Sequence, residues 1–173
     1  MKIVLASALF PPDIASPAPY VKELTRRLAG AHEVAAVVYG SFPERVEGAR
    51  IVAVSKRRPL PLRLISFTLA LWRAARHADI LYIENGASVE LPALLIKWLV
   101  RTPLIIHFGD PAAKKYFSQK MLLRRAAGTI TESPPGRPEI LPFAPRPEAA
   151  LAAYEQSWSG HVRMLEEKFA HAK

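Results

Sequence analysis

Apolar residues fall along this chain in two rhythms: short unbroken runs that suit buried parallel strands, and longer stretches where they recur every third or fourth position. Lys2 to Ala8 is the first run. A loop with Pro11 and Pro12 follows, then Val21, Leu24 and Leu28 at helical spacing. Ser16 is placed to cap that helix, with Pro17 in its first turn and Gly30 closing it. Val34 to Tyr39 is a second apolar run. Strand, helix and strand in that order predict a right-handed crossover onto a parallel sheet. Sheets of this kind bind ligands beyond the carboxyl ends of their strands, so residues 9 to 19 are the first place to look for a site.

The same alternation continues. Arg50 to Val54 predicts a third strand, and Leu60 to about His77 a helix with Leu64, Ile65, Thr68, Leu71, Trp72 and Ala75 on one face. Arg63, Ser66, Arg73 and His77 lie opposite, and Phe67 and Leu69 border the two faces. Asp79 to Ile83 is a fourth strand, Ser88 to Val100 a helix with Pro92 near its first turn, and Thr102 to His107 a fifth strand. A basic segment containing Lys114, Lys115, Lys120, Arg124 and Arg125 leads to a sixth strand, Gly128 to Thr131. Glu139 to Pro142 predicts a seventh, edge strand bounded by prolines. From the stiff joint at Pro145 to Pro147 the longest helix runs to Ala170, carrying Leu151, Tyr154, Trp158, Val162, Leu165 and Phe169 by threes and fours.

Composition narrows the functional classes. The length, 173 residues, suits one domain with a sizeable core. There is no cysteine, so disulfides, thiolate metal sites and Cys nucleophiles are excluded. The first apolar run ends in Phe10, Pro11 and Pro12 and leads into an amphipathic helix, which favours a core strand over a targeting segment. The apolar stretches around Leu64 to Trp72 and Leu91 to Ile96 fall short of the ~20 residues a spanning helix needs, which predicts a soluble or peripheral protein. Net charge is +9, and no acidic residue falls between Glu47 and Asp79, where Arg50, Lys56, Arg57, Arg58, Arg63, Arg73 and Arg76 all lie. Such a surface attracts anions. Two readings of Lys56 to Arg76 stay open: a solvated basic face on a core helix, or a membrane-surface patch in which Lys56, Arg57, Arg58 and Arg63 hold anionic lipid while Phe67 or Trp72 touches the acyl boundary. Nucleic acid ranks third, since no binding signature accompanies the charge.

Three loops at strand carboxyl ends converge in this topology, residues 9 to 19, 84 to 88 and 107 to 111. They bring Asp13, Ser16, Glu84, Asn85, Ser88, His107 and Asp110 to one rim. A carboxylate and an imidazole there could supply a general base and hydrogen bonds to hydroxyls. Asp13 and Asp110 serve equally well as turn caps, and His107 as a satisfied histidine at a sheet end. No GxGxxG follows the first strand, which argues against a dinucleotide site of the dehydrogenase type.

The motif formed by FPP, a short loop, Tyr20, KEL, a second Leu and HEV resembles the opening of the amino-terminal, acceptor-side domain of GT-B glycosyltransferases. The likeness is to the large retaining family that includes bacterial phosphatidylinositol mannosyltransferases. DILYIEN is similar to the family's fourth-strand motif, with Glu84 where a histidine near the sugar commonly stands, and Ala15 and Ser16 occupy positions where paired glycines are usual. Leu141 to Phe143 resemble the run into the interdomain linker, and the segment from AYEQSW to MLEEK resembles the helix that crosses back onto the first domain.

The resemblance implies an α/β fold: a single Rossmann-like, doubly wound parallel sheet ordered about 3-2-1-4-5-6, with the long C-terminal helix packed back on it. Residues 1–144 would form the domain and 145–173 its closing helix. It further implies a glycosyltransferase-like half-enzyme that binds a nucleotide-sugar only with a partner, either a donor-domain protein or a second copy. Turnover by this chain alone is not expected. On this reading Glu84 and His107 are the catalytic candidates, Asp13, Ser16, Asn85, Ser88 and Asp110 the substrate-binding ones, and no metal or cofactor is expected. The implied location is cytoplasmic, with peripheral contact at the inner membrane face through a lipid-linked acceptor. The alternative is a non-catalytic module of the same fold that holds a membrane surface or a protein partner.

Overall fold

The computed structural model describes residues 1–14, 17–84, 86–108, 117–131, 138, 140 and 148–172. Six strands form one sheet: β1 (Lys2–Ser7), β2 (Glu33–Tyr39), β3 (Ala49–Val54), β4 (Ile80–Glu84), β5 (Leu104–Phe108) and β6 (Gly128–Thr131). All neighbours pair in parallel, in the order β3-β2-β1-β4-β5-β6. That is the doubly wound order expected from the sequence. Helices α1 (Pro17–Ala29), α2 (Leu60–Ala75), α3 (Ala87–Ile96), α4 (Phe117–Leu123) and α5 (Glu148–His171) complete the fold.

Side chains alternate across each strand, so one run of residues feeds two cores. Val4, Ala6, Val37 and Ile83 join Phe67 and Leu71 of α2 and Val89 and Ala93 of α3 on one face. Ile3, Leu5, Val38 and Tyr82 meet α1 and α5 on the other, through Tyr20, Leu24, Trp158, Leu165 and Phe169. The long last helix therefore packs back on the sheet. Arg27 ties it to α1, bonding Glu155 at 2.8 Å and 2.9 Å and lying 5.0 Å above the Trp158 ring. His32 meets Glu166 at 2.8 Å.

Several boundaries differ from the sequence reading. Helix α2 buries Phe67, Leu71 and Ala75 and leaves Ile65 and Leu69 facing out, 56% and 46% exposed. The apolar residues of this helix exceed what one face needs, and the sheet takes the row through Phe67. Helix α3 stops at Ile96, where the Lys97 ammonium donates to the Thr102 carbonyl at 2.6 Å. The Thr102 hydroxyl in turn donates to the Ala75 carbonyl at 2.7 Å, joining the start of the fifth strand to the end of α2. Helix α4 lies in the segment read only as basic. The capping position Ser16, and all of the expected edge strand except Ile140, lie outside the described residues.

Two glycines are demanded by geometry. Gly48 has φ +75°, a left-handed conformation that side chains resist, in the turn entering β3. Gly86 follows β4, and a Cβ there would stand 3.2 Å from that of Ala8, so its lack of a side chain lets α3 start against the first loop.

Candidate functional site

The carboxyl ends of β1, β4 and β5 face the same way because the sheet is parallel. Register then decides which side chains meet: Glu84 of β4 lies directly opposite His107 of β5. Their side chains pair, with Nδ1 of His107 3.3 Å from Oε2 of Glu84. Tyr82 sits two residues earlier on the same face, its hydroxyl bonded to the His107 ring and donating to Glu84 at 3.4 Å. The chain of contacts continues outward through Tyr20, whose hydroxyl is 3.3 Å from that of Tyr82 and 2.8 Å from Nε2 of His161 on α5. Tyr20 also stacks on Trp158. Carboxylate, imidazole and two phenols thus form one polar string between strand tips and the closing helix, with Glu84 2% and His107 1% exposed. Sequence reasoning picked the ends at Glu84 and His107 but not Tyr82, Tyr20 or His161. The two-residue spacing of Tyr82 and Glu84 in a strand was the signal available for the first of these.

The remaining candidates separate. Asp13 lies in the first loop, accepting from the Phe10 amide at 3.3 Å and from the Lys56 ammonium at 2.6 Å. Lys56 is therefore drawn to the rim, where it links the loop after β1 to the turn after β3. Ser88 contributes its carbonyl to the Tyr39 hydroxyl at 3.0 Å. Arg63 lies over the Tyr39 ring at 5.5 Å, with its Nε buried and lacking a partner among the described residues. Arg57 and Arg58 are exposed, Arg58 bonding Ser66 at 2.7 Å. Ser16, Asn85 and Asp110 lie outside the described residues.

Beside the first loop an open hollow of about 500 Å³ is bounded by Pro11, Asp13, Ile14, Lys22, Ile140 and Tyr154. Glu90, on α3 behind the rim, is 1% exposed and its Oε2 has no partner among the described residues. Burial raises its carboxyl above the usual range, partly offset by the Gly86 amide. A shallow polar rim over an internally bonded floor can hold hydroxyl-bearing ligands, and one wall by itself leaves them open to water.

The glycosyl transferase 4-like domain family matches residues 17–155. No curated protein matches the sequence. Among solved structures, a putative UDP-N-acetylglucosamine 2-epimerase from Listeria monocytogenes superposes with TM-score 0.53 at 14% identity, over 77% of this chain and 38% of that one. The Anabaena protein HepE in complex with UDP gives 0.52 at 12% identity, over 91% and 41%. The C-terminal domain of the coenzyme A biosynthesis bifunctional protein CoaBC gives 0.52 at 11% identity over 96% of both chains. At such identities the likeness concerns the fold. The chain spans about two-fifths of the length of the epimerase and of HepE.

Proposed function

The chain belongs to the glycosyl transferase 4-like family, and from that premise we propose that it is the acceptor-side half of a sugar-transfer enzyme. The family match over residues 17–155 is the observation that carries this reading. In it, residues 1–144 and the closing segment 145–173 work as one unit, and the nucleotide-sugar is held mainly by a second unit on a partner chain or another copy. The rim at Asp13 and Ser88 receives the acceptor, with Ser16, Asn85 and Asp110 contributing from the same loops. Glu84 and His107 form the carboxylate-imidazole pair at its floor, the base and the polariser of the reaction.

The purified chain, alone and with the products of neighbouring genes, should be tested for binding of nucleotide-sugars and of polyprenyl- or phospholipid-linked acceptors. Sugar transfer that requires both chains, and that is lost in Glu84→Gln and His107→Asn, supports the proposal. Failure of every combination to bind donor or acceptor overturns it.

A second reading, a non-catalytic module that docks on an anionic membrane, has its own observation. Leu62, Ile65 and Leu69 of α2, with Leu95, Trp98 and Leu99 at the end of α3, are exposed on helices that pack side by side. Basic side chains flank them, including Arg58, Arg73 and Arg125, whose guanidinium lies 3.6 Å over the Trp98 ring. Apolar side chains with cations beside them match an anionic bilayer surface. Among the described residues no helix is long and apolar enough to cross a membrane. Flotation with phosphatidylglycerol vesicles discriminates: binding lost on neutralising Arg57, Arg58 and Arg63, yet kept in Glu84→Ala with His107→Ala, favours the module.

A further inference from the structure

At the opposite end of the sheet, where β1, β2 and β3 begin, a cavity of about 360 Å³ opens between the strands and the last turns of α2. It lies a strand length from the rim, about 17 Å at 3.3 Å per residue. Its existence follows from side-chain size. The helix presents Ala70 and Ala74 here, the turn after it Ala78, and the sheet presents Ala35 and Val52, which stay only half-buried although Val37 beside them is fully covered. Helix and sheet do not close on each other.

The walls are apolar and the mouth is cationic. Val4, Ala35 and Arg50 form one cross-strand row, which sets the Arg50 side chain on the α2 side of the sheet. Arg73 on α2 and His77, just past its end, reach the same opening. The sole acidic residue lining the cavity, Glu33, is paired with Lys2 at 3.1 Å. Among the described residues, no hydrogen bond or ion pair engages the side chains of Arg50, Arg73 or His77. Guanidinium groups around a greasy hollow, paired with no carboxylate among the described residues, suit a ligand with an anionic head and an apolar body. The volume falls in the range of small-ligand sites.

We propose that this cavity binds an anionic amphiphile, its carboxylate or phosphate held by Arg50 and Arg73 with His77 as a further donor, and its chain lying against Val4, Val52, Ala70 and Ala74. This site is separate from the sugar-transfer rim and does not depend on that reading. An inorganic anion would use the mouth and leave the walls empty, so head and chain together distinguish the class. The source is either a free metabolite or a lipid presented by a bilayer, since Ile65, Leu69 and Arg73 lie along one line of α2 that leads from the exposed apolar ridge to the cavity mouth.

Calorimetric titration tests this with monomeric dodecyl phosphate, laurate and inorganic phosphate, and co-sedimentation with phosphatidylglycerol vesicles covers the second source. The wild-type chain should bind dodecyl phosphate saturably at one site, about tenfold or more tighter than inorganic phosphate, a gap of about 1.4 kcal/mol. Arg50→Gln with Arg73→Gln should weaken it about tenfold, as loss of paired charge-assisted bonds does. Ala74→Leu, which fills the hollow, should weaken the amphiphile and leave inorganic phosphate unchanged. Binding of the monomer points to a free metabolite. Binding only to vesicles, lost in the double arginine variant, points to a membrane lipid. No saturable binding of either kind, or equal affinity in wild type and the folded double variant, overturns the proposal.

Discussion

Glu84 and His107 show how much one residue of register decides. Each is a polar residue at a strand end, and pairing β4 with β5 one position along would set them apart. Because both are buried and bonded to each other, removing one partner should cost roughly 1–3 kcal/mol. We expect Glu84→Ala and His107→Ala each to lower the denaturation midpoint, and the double variant to lose less than the sum of the two, as coupled neighbours do. Additive losses would show that the pair is not coupled.

Glu90 makes the opposite case. Burial raises its folded pKa above the usual 4.5, so the folded state holds the proton more tightly than the unfolded one. Stability from that difference is present below the unfolded pKa and lost as pH rises through the folded pKa. Glu90→Gln should therefore match the wild type near pH 4 and exceed it at pH 7 in urea denaturation. A gain of equal size at both pH values would trace the effect to packing instead. Neither the pairing nor this buried carboxylate was legible in the sequence. A string of letters gives strand ends and helix faces, while both facts depend on which atoms of distant segments come within a few ångströms.

At the scale of elements, the sequence was most informative where its pattern had one solution. The β1, β2 and β4 runs are short and apolar but for their ends, so a buried parallel strand was the reading left, and the family resemblance implied the sheet order. Helix α2 has a wide apolar stripe, and periodicity set Ile65 and Leu71 on its inner face with Phe67 and Leu69 at the borders. The sheet instead buried Phe67 with Leu71 and left Ile65 outside, stacking Phe67 on Tyr39 at 4.3 Å between ring centres. Helix α4 went unread because Lys120 within it and Arg124 and Arg125 just after it masked the apolar Leu122 that seats it. In α5 the pattern was clear, and Gly160 is its weak point: a Cβ there would meet nothing within 4 Å. Gly160→Ala should raise stability by about 0.5–1 kcal/mol, read as a higher thermal midpoint. A lower midpoint would mean that the glycine serves some contact of this helix.

For the molecule as a whole, the two faces of the sheet have different histories. One is covered by α2 and α3, which come from the middle of the chain, and the other by α1 and α5, which lie near its beginning and its end. Trp158 is the largest side chain α5 buries, fully covered and stacked on Tyr20. Trp158→Ala should cost about 3–5 kcal/mol and expose the α1 side of the sheet, seen as dye binding to newly uncovered apolar surface. If the variant stayed as stable as the wild type, α5 would be an accessory rather than part of the core.

That arrangement also sets a clock on biosynthesis. Tyr20 and Leu24 leave the ribosome well before the helix that shelters them, which begins 124 residues later by subtraction of positions 24 and 148. At about 5–20 residues per second the nascent polypeptide carries that greasy surface uncovered for roughly 6–25 seconds. Over that interval a chaperone has its opportunity to bind.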